Sequence, residues 1–270
     1  MKSMMTAIAA LTMVLGASAC NNKADSEAPA AAAAATGITG TWTVDLASAQ
    51  WDNSNSKYVI ADGTYNCESC LPPYSFAADG QWQKVDRPGA DEMMVKIVDD
   101  KTIEFASRFE GKDQGKSTWT VSDDGNAMTI DWTNYEDGGT ITGKTNLTRA
   151  AAGPDGSHAA SGEWTPANVS EMSEEGRTVT ITEEGETIKF ESTGGSYTAK
   201  LGGDPVAIEG DKSGVMVAIA KTGDNTYRET LTRKNETIGV NDWTVEGDKV
   251  TVVASDPRDN SKVTWSATRK

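Results

Sequence analysis

The feature that most constrains this chain is a duplication. Residues 40–149 and 162–270 can be laid side by side with their distinctive blocks in the same order. Gly40–Val44 (GTWTV) matches Gly162–Pro166 (GEWTP), and YSFAADG from Tyr74 matches YTAKLGG from Tyr197. Met94–Ile97 (MVKI) matches Met216–Ile219 (MVAI). STWTVSDDGNAMTI, ending at Ile130, matches NDWTVEGDKVTV, ending at Val252, and Leu147–Ala150 (LTRA) matches Ala267–Lys270 (ATRK). Ordered self-similarity of this kind means one folding unit used twice. A unit of about 110 residues is long enough to bury its own core.

The unit reads as antiparallel β structure. RTVTITEEGETIKFES (residues 177–192) alternates apolar and polar residues on both sides of a Glu-Glu-Gly turn, the pattern of a hairpin. The same rhythm runs through residues 102–134 and 226–255, punctuated by Gly/Asp turn clusters. No apolar stretch of helical period with caps interrupts it. The expectation is therefore an all-β chain of two tandem antiparallel barrels, residues 38–149 and 162–270, joined by a linker at 150–161. Each copy holds about eight strands, enough to close around side chains or one small ligand. Closure also removes exposed sheet edges.

The N-terminus carries a different message. MKSMMTAIAALTMVLGASAC has a basic residue, an apolar run and small residues, the layout of an export signal too short to span a bilayer. Residues 1–19 are thus expected to be a signal peptide. The segment resembles a bacterial lipobox ending at Cys20, although Ala17 stands where that pattern has Leu, Val or Ile. Residues 20–37 then read as a lipidated cysteine and a flexible tether, since NNKADSEAPAAAAAATG has no apolar periodicity. The implied partner is a membrane, reached through the lipid at Cys20, and Asn21 implies the periplasmic face of the outer membrane. Cleavage after Ala19 alone would instead give a soluble secreted or periplasmic protein.

Charge narrows the partners further. The chain has 25 basic and 40 acidic residues; loss of residues 1–19 removes only Lys2 and leaves a formal charge of −16. Such a surface repels nucleic acid and anionic headgroups, so no nucleic-acid role is expected.

Cys67 and Cys70, in YNCESCLPP, leave three readings open. With Cys20 taken by lipid they form an even pair in an oxidising compartment, for which a structural disulfide is the default. A thioredoxin-type redox pair needs a helix N-terminus, and Pro72 and Pro73 oppose a following helix. Zinc would need two further ligands, and the chain has one histidine, His158. No metal and no cofactor is expected.

Gly-x-Trp, at Gly40/Trp42 and Gly162/Trp164, is similar to the opening signature of lipocalins and other calycin-type barrels. The blocks GTW, YNCESCLPP, DDKTIE and TVSxDGxxMTI, with the terminal Thr-Arg, resemble a family of uncharacterised extracytoplasmic bacterial proteins with lipocalin-like repeats. That resemblance covers roughly residues 38 to 270 and implies fold and compartment. It brings no catalytic residues with it, and fold alone does not give function.

Candidate chemistry is sparse. Trp42, Trp119, Trp164 and Trp243 fall at matched places and could line a ligand cavity or fill the core. Trp51, Trp82 and Trp132 have no aromatic counterpart in the second copy and suit a surface or mouth. His158 reads as a linker histidine, and Glu183, Glu184 and Glu186 as carboxylates of a hairpin turn. Asp123–Asn126 and Asp256–Asn260 lack full calcium-loop spacing and read as turns. The expected function is a non-catalytic envelope lipoprotein that binds a small apolar ligand or an envelope component. The alternative is a structural or protein-interaction role without a cavity, with a thiol oxidoreductase or a hydrolase behind it.

Overall fold

The computed structural model describes residues 37–270; the expected signal peptide, Cys20 and most of the expected tether lie outside them. The first copy contributes β1 (Gly40–Asp52), β2 (Ser56–Ala61), β3 (Thr64–Cys67), β4 (Tyr74–Ala77) and β5 (Gln83–Arg87). It continues with β6 (Ala90–Ile97), β7 (Thr102–Phe109), β8 (Lys112–Val121), β9 (Ala127–Glu136) and β10 (Gly139–Ala152). The second copy begins with β11 (Gly162–Met172) and a single helical turn, α1 (Glu174–Arg177). There follow β12 (Thr178–Glu184), β13 (Thr187–Ser192), β14 (Gly195–Lys200), β15 (Val206–Ala207) and β16 (Met216–Gly223). The last four are β17 (Thr226–Arg233), β18 (Glu236–Glu246), β19 (Lys249–Asp256) and β20 (Ser261–Arg269).

The chain is all-β and its strands form two ten-stranded antiparallel sheets, each curled into a nearly closed barrel. The expected eight strands per barrel become ten. The difference lies in elements too short to show an alternating pattern, such as four-residue β4 after Pro72-Pro73 and two-residue β15 after Pro205. Closure is nearly completed by lone bridges, Asp79 to Lys96 in one barrel and Ser196 to Glu209 in the other.

The sheets do not follow the copies. The first barrel runs β4-β3-β2-β11-β10-β9-β8-β7-β6-β5, and the second β14-β13-β12-β1-β20-β19-β18-β17-β16-β15. Each copy thus gives its opening strand to the other copy's sheet. The connection explains why: β10 and β11 are consecutive and fold back as a hairpin from Gly143↔Met172 to Ala152↔Gly162. Neighbouring strands joined by a short connection pair preferentially. With β11 seated between β10 and β2, β1 takes the equivalent place between β20 and β12. Both strands carry Gly-x-Trp, so the exchange keeps a buried indole inward in each barrel.

Two separate cores result. The first barrel packs Tyr58, Ile60, Tyr65, Val95, Ile103, Trp119, Met128 and Trp164. The second packs Trp42, Val179, Ile188, Val217, Tyr227, Trp243, Val252 and Ala267. The 150–161 segment is not a free linker. His158 N–H donates to the Ile60 carbonyl (2.9 Å), and Ala160 and Ser161 are buried.

Candidate functional site: a cavity shared by two barrels

Each barrel has one sealed end built from the duplicated motif. The indole Nε1–H of Trp42 donates to the Ile38 carbonyl (2.9 Å), and that of Trp164 to the Ala160 carbonyl (3.0 Å). Arg269 lies over the Trp42 ring at 4.2 Å, and Arg149 over Trp164 at 4.0 Å. The guanidinium groups tie off loop carbonyls: Arg149 reaches Ser161 and Ala159, both at 2.7 Å, and Arg269 reaches Thr39 and Gly37. The glycine of Gly-x-Trp makes room for this. A Cβ on Gly40 would stand 2.5 Å from Arg269 Nη1 and one on Gly162 2.7 Å from Arg149 Nη1, and both backbones have positive φ. Trp42 and Trp164, candidate ligand-lining residues, are fully buried under these arginines and do not line the cavity.

The other ends of the barrels meet in one cavity of about 540 Å³. That volume suits one small ligand. Its first-barrel wall is aromatic, with Tyr58, Tyr65, Phe105, Trp119 and Trp132. Tyr58 meets Trp119 edge-on at 4.9 Å, and Phe105 stacks parallel to Trp119 at 6.1 Å. Burial pushes the Tyr58 hydroxyl up to about 12, so it stays protonated. The second-barrel wall adds Phe190, Tyr197, Trp243, Val252 and Trp265. Pro72, Asp86, Pro88 and Lys234 line the cavity yet are exposed, so it reaches solvent where the barrels join.

One carboxyl is buried on this wall. Glu229 on β17 is 6 % exposed; Tyr197 Oη donates to its Oε1 (2.7 Å) and Asn241 Nδ2 to its Oε2 (2.5 Å). Burial raises the pKa of Glu229 against the two hydrogen bonds, and burial beside Glu229 pushes Tyr197 well above its ordinary range. Sequence reading missed Glu229, Asn241 and Trp265. The signal was present: in the alternation Tyr227-Arg228-Glu229-Thr230-Leu231 the inward row of β17 is Tyr227, Glu229 and Leu231, all buried. A glutamate in an inward row is the mark of a site.

Several cations around the junction are engaged. Lys234 pairs with Asp86 (3.1 Å), Lys212 with Asp137 (2.9 Å), and Arg258 with Asp256 (2.7 Å). Arg87 lies over the Tyr74 ring and donates to the Pro72 carbonyl (2.9 Å). Cys67 and Cys70 form a disulfide, Cα–Cα 5.4 Å, beside the first-barrel wall; Cys67 is buried in the aromatic core.

The remaining candidates lie elsewhere. His158 accepts from Ala160 N–H at Nδ1 (3.0 Å) and contacts the Asp99 carbonyl through Nε2 (2.7 Å), pinning the 150–161 segment. Glu183 pairs with Lys221 (2.8 Å) and accepts from Tyr227 Oη (2.5 Å) instead of joining Glu184 and Glu186. Asp124 caps its own turn through Ser122 and Asn126, which hold its carboxyl down to about 2. Trp82 lies under Arg108 at 4.2 Å and Trp51 packs on the second core. Among the described residues no group of three or more His, Cys, Asp or Glu could hold a metal ion, and no helix is long and apolar enough to cross a membrane. No family model, no curated protein and no solved structure matches this chain.

Proposed function

We propose that this is a non-catalytic binding protein of the bacterial cell envelope, which holds one small, largely apolar ligand in the cavity between its barrels. The single observation that carries the reading is that cavity: about 540 Å³, walled by aromatic and aliphatic side chains, and reaching solvent. The export-type N-terminus and the lipobox-like ending at Cys20 support delivery as a lipoprotein on the periplasmic face of the outer membrane. The duplicated Gly-x-Trp and Thr-Arg blocks support a place among the lipocalin-like envelope proteins.

A purely structural or docking role finds less support. Among the described residues the exposed large apolar side chains are Ile97 and Val98, adjacent and too small a patch to recruit a partner. Catalysis finds less still. The one histidine is engaged away from the cavity, and the cysteine pair is bridged.

Titration with N-phenyl-1-naphthylamine, a neutral apolar fluorophore, tests the binding reading. Saturable enhancement with one site per chain is expected; no enhancement would overturn it. For anchoring, radioactive palmitate should label the wild type and not Cys20→Ser. An unlabelled wild type would leave a soluble exported protein.

A further inference from the structure

We propose that the cavity is built for an amphipathic amine, whose ammonium group pairs with the carboxylate of Glu229 while its apolar body lies along the aromatic walls. This deepens the binding reading above and rests on it.

Three observations converge on Glu229. First, its carboxyl is buried on the cavity wall with two neutral donors, Tyr197 and Asn241, and among the described residues no cation neutralises it. An ionised carboxylate removed from water without a counter-charge is strongly unfavourable, and a ligand ammonium would supply the missing charge. The nearby cations do not supply it: Lys234, Lys212 and Arg258 pair with Asp86, Asp137 and Asp256, and Arg87 lies over Tyr74 and donates to the Pro72 carbonyl.

Second, the fold does not need an acid there. Trp243 faces Tyr227 and Asn241 faces Glu229 across β17 and β18. In the first barrel Trp119 faces Ile103 and Ser117 faces Phe105 across β7 and β8. Phe105 therefore holds the place of Glu229, and Ser117 that of Asn241. The same barrel closes with a phenyl ring at this position. A carboxyl in its twin, supported by a hydrogen-bonding amide on the facing strand, is a specific provision of the second cavity wall.

Third, the surroundings suit a cation. Tyr197, which holds the carboxyl, stacks on Phe190 at 5.2 Å, and Phe190 lies 6.1 Å from Trp243. Aromatic faces beside a carboxylate attract an ammonium group through their quadrupoles, more strongly where water is excluded. A carboxylate ligand would be repelled by Glu229, and an alcohol would make a hydrogen bond without charge.

Competition on the full chain against N-phenyl-1-naphthylamine tests this with octylamine, octanol and octanoate at neutral pH. Octylamine should displace the fluorophore at least about tenfold more tightly than octanol, with octanoate weakest. Glu229→Gln, its fold checked by circular dichroism, should show a preference for the amine over the alcohol of no more than about twofold. An amine no tighter than the alcohol on wild type would overturn the inference and leave the apolar cavity intact. So would a preference that survives Glu229→Gln. Failure of the fluorophore itself to bind would overturn both.

Discussion

Trp119 and Trp243 hold the same place in the two barrels, yet they look onto different interiors. Beside Trp119 are Phe105 and Ser117, whose hydroxyl accepts from the Trp119 indole (2.8 Å). Beside Trp243 are Glu229 and Asn241; Glu229 accepts from Asn241 and from Tyr197. The sealed ends, by contrast, repeat in detail: indole to loop carbonyl, arginine over indole, glycine beneath the guanidinium. Duplication has therefore kept the parts that close each barrel and left the wall facing the shared cavity free to diverge. Shape belongs to the ends and chemistry to the middle.

A second contrast explains the cysteines. In the first barrel Cys67 pairs with Tyr74 across a loop of residues 68–73, whereas in the second Ser192 pairs with Gly195 across a turn of only residues 193–194. The longer connection has more freedom to lose on folding, and the disulfide removes part of it beforehand. The shorter turn needs no such brace.

The largest effects should come from breaking the equivalence of the ends. Trp42→Ala and Trp164→Ala each empty a fully buried site and should lower stability by about 3–5 kcal/mol, measured by denaturant unfolding. The two losses should be similar; a large disparity would show that the ends are not equivalent. Removing the guanidinium with Arg149→Ala or Arg269→Ala loses charged hydrogen bonds to loop carbonyls and should remove about 2 kcal/mol in each case. Cys67→Ser with Cys70→Ser should leave a folded chain, less stable by under about 3 kcal/mol because the bridged loop is short. Loss of the fold would mean that the first barrel depends on its brace far more than the short loop suggests.

The buried acid on β17 gives a pH signature of its own. Burial holds the Glu229 carboxyl above its ordinary range, so the folded chain binds that proton more tightly than the unfolded chain. Its contribution is complete below the unfolded carboxylate range and is lost as pH rises through the folded value. Stability of wild type relative to Glu229→Gln should therefore fall as pH rises above the ordinary carboxylate range. A flat difference would show that Glu229 does not titrate differently on folding. The smallest effect belongs to the junction: Asp86→Asn unpairs exposed Lys234 and half-buried Arg233 and should leave the unfolding midpoint nearly unchanged.

Much of this architecture was legible in the residues. Alternation and turn clusters around Glu184-Gly185 and Asp123–Asn126 mark hairpins, and the matched Gly-x-Trp and Thr-Arg blocks mark two like barrels. The strand exchange was not legible, because β1 and β11 open with the same Gly-x-Trp block and pairing partners leave no mark in local alternation. Short strands such as β15 escape any periodicity. The site was only half visible. Tryptophans stood out by type, but whether Trp42 seals an end or Trp243 faces a cavity depends on which end of the barrel each one occupies. Glu229 was overlooked among 40 acidic residues, although its place between inward-facing Tyr227 and Leu231 set it apart.

Because the sealed ends and the cavity are both marked by indole groups, one spectrum reads them together. In a ¹H–¹⁵N NMR titration with N-phenyl-1-naphthylamine, the Nε1–H signals of Trp119, Trp132, Trp243 and Trp265 should move and saturate together, while those of Trp42 and Trp164 stay in place. Signals that move at Trp42 and Trp164, or in only one barrel's pair of cavity tryptophans, would contradict a single ligand site shared by both barrels.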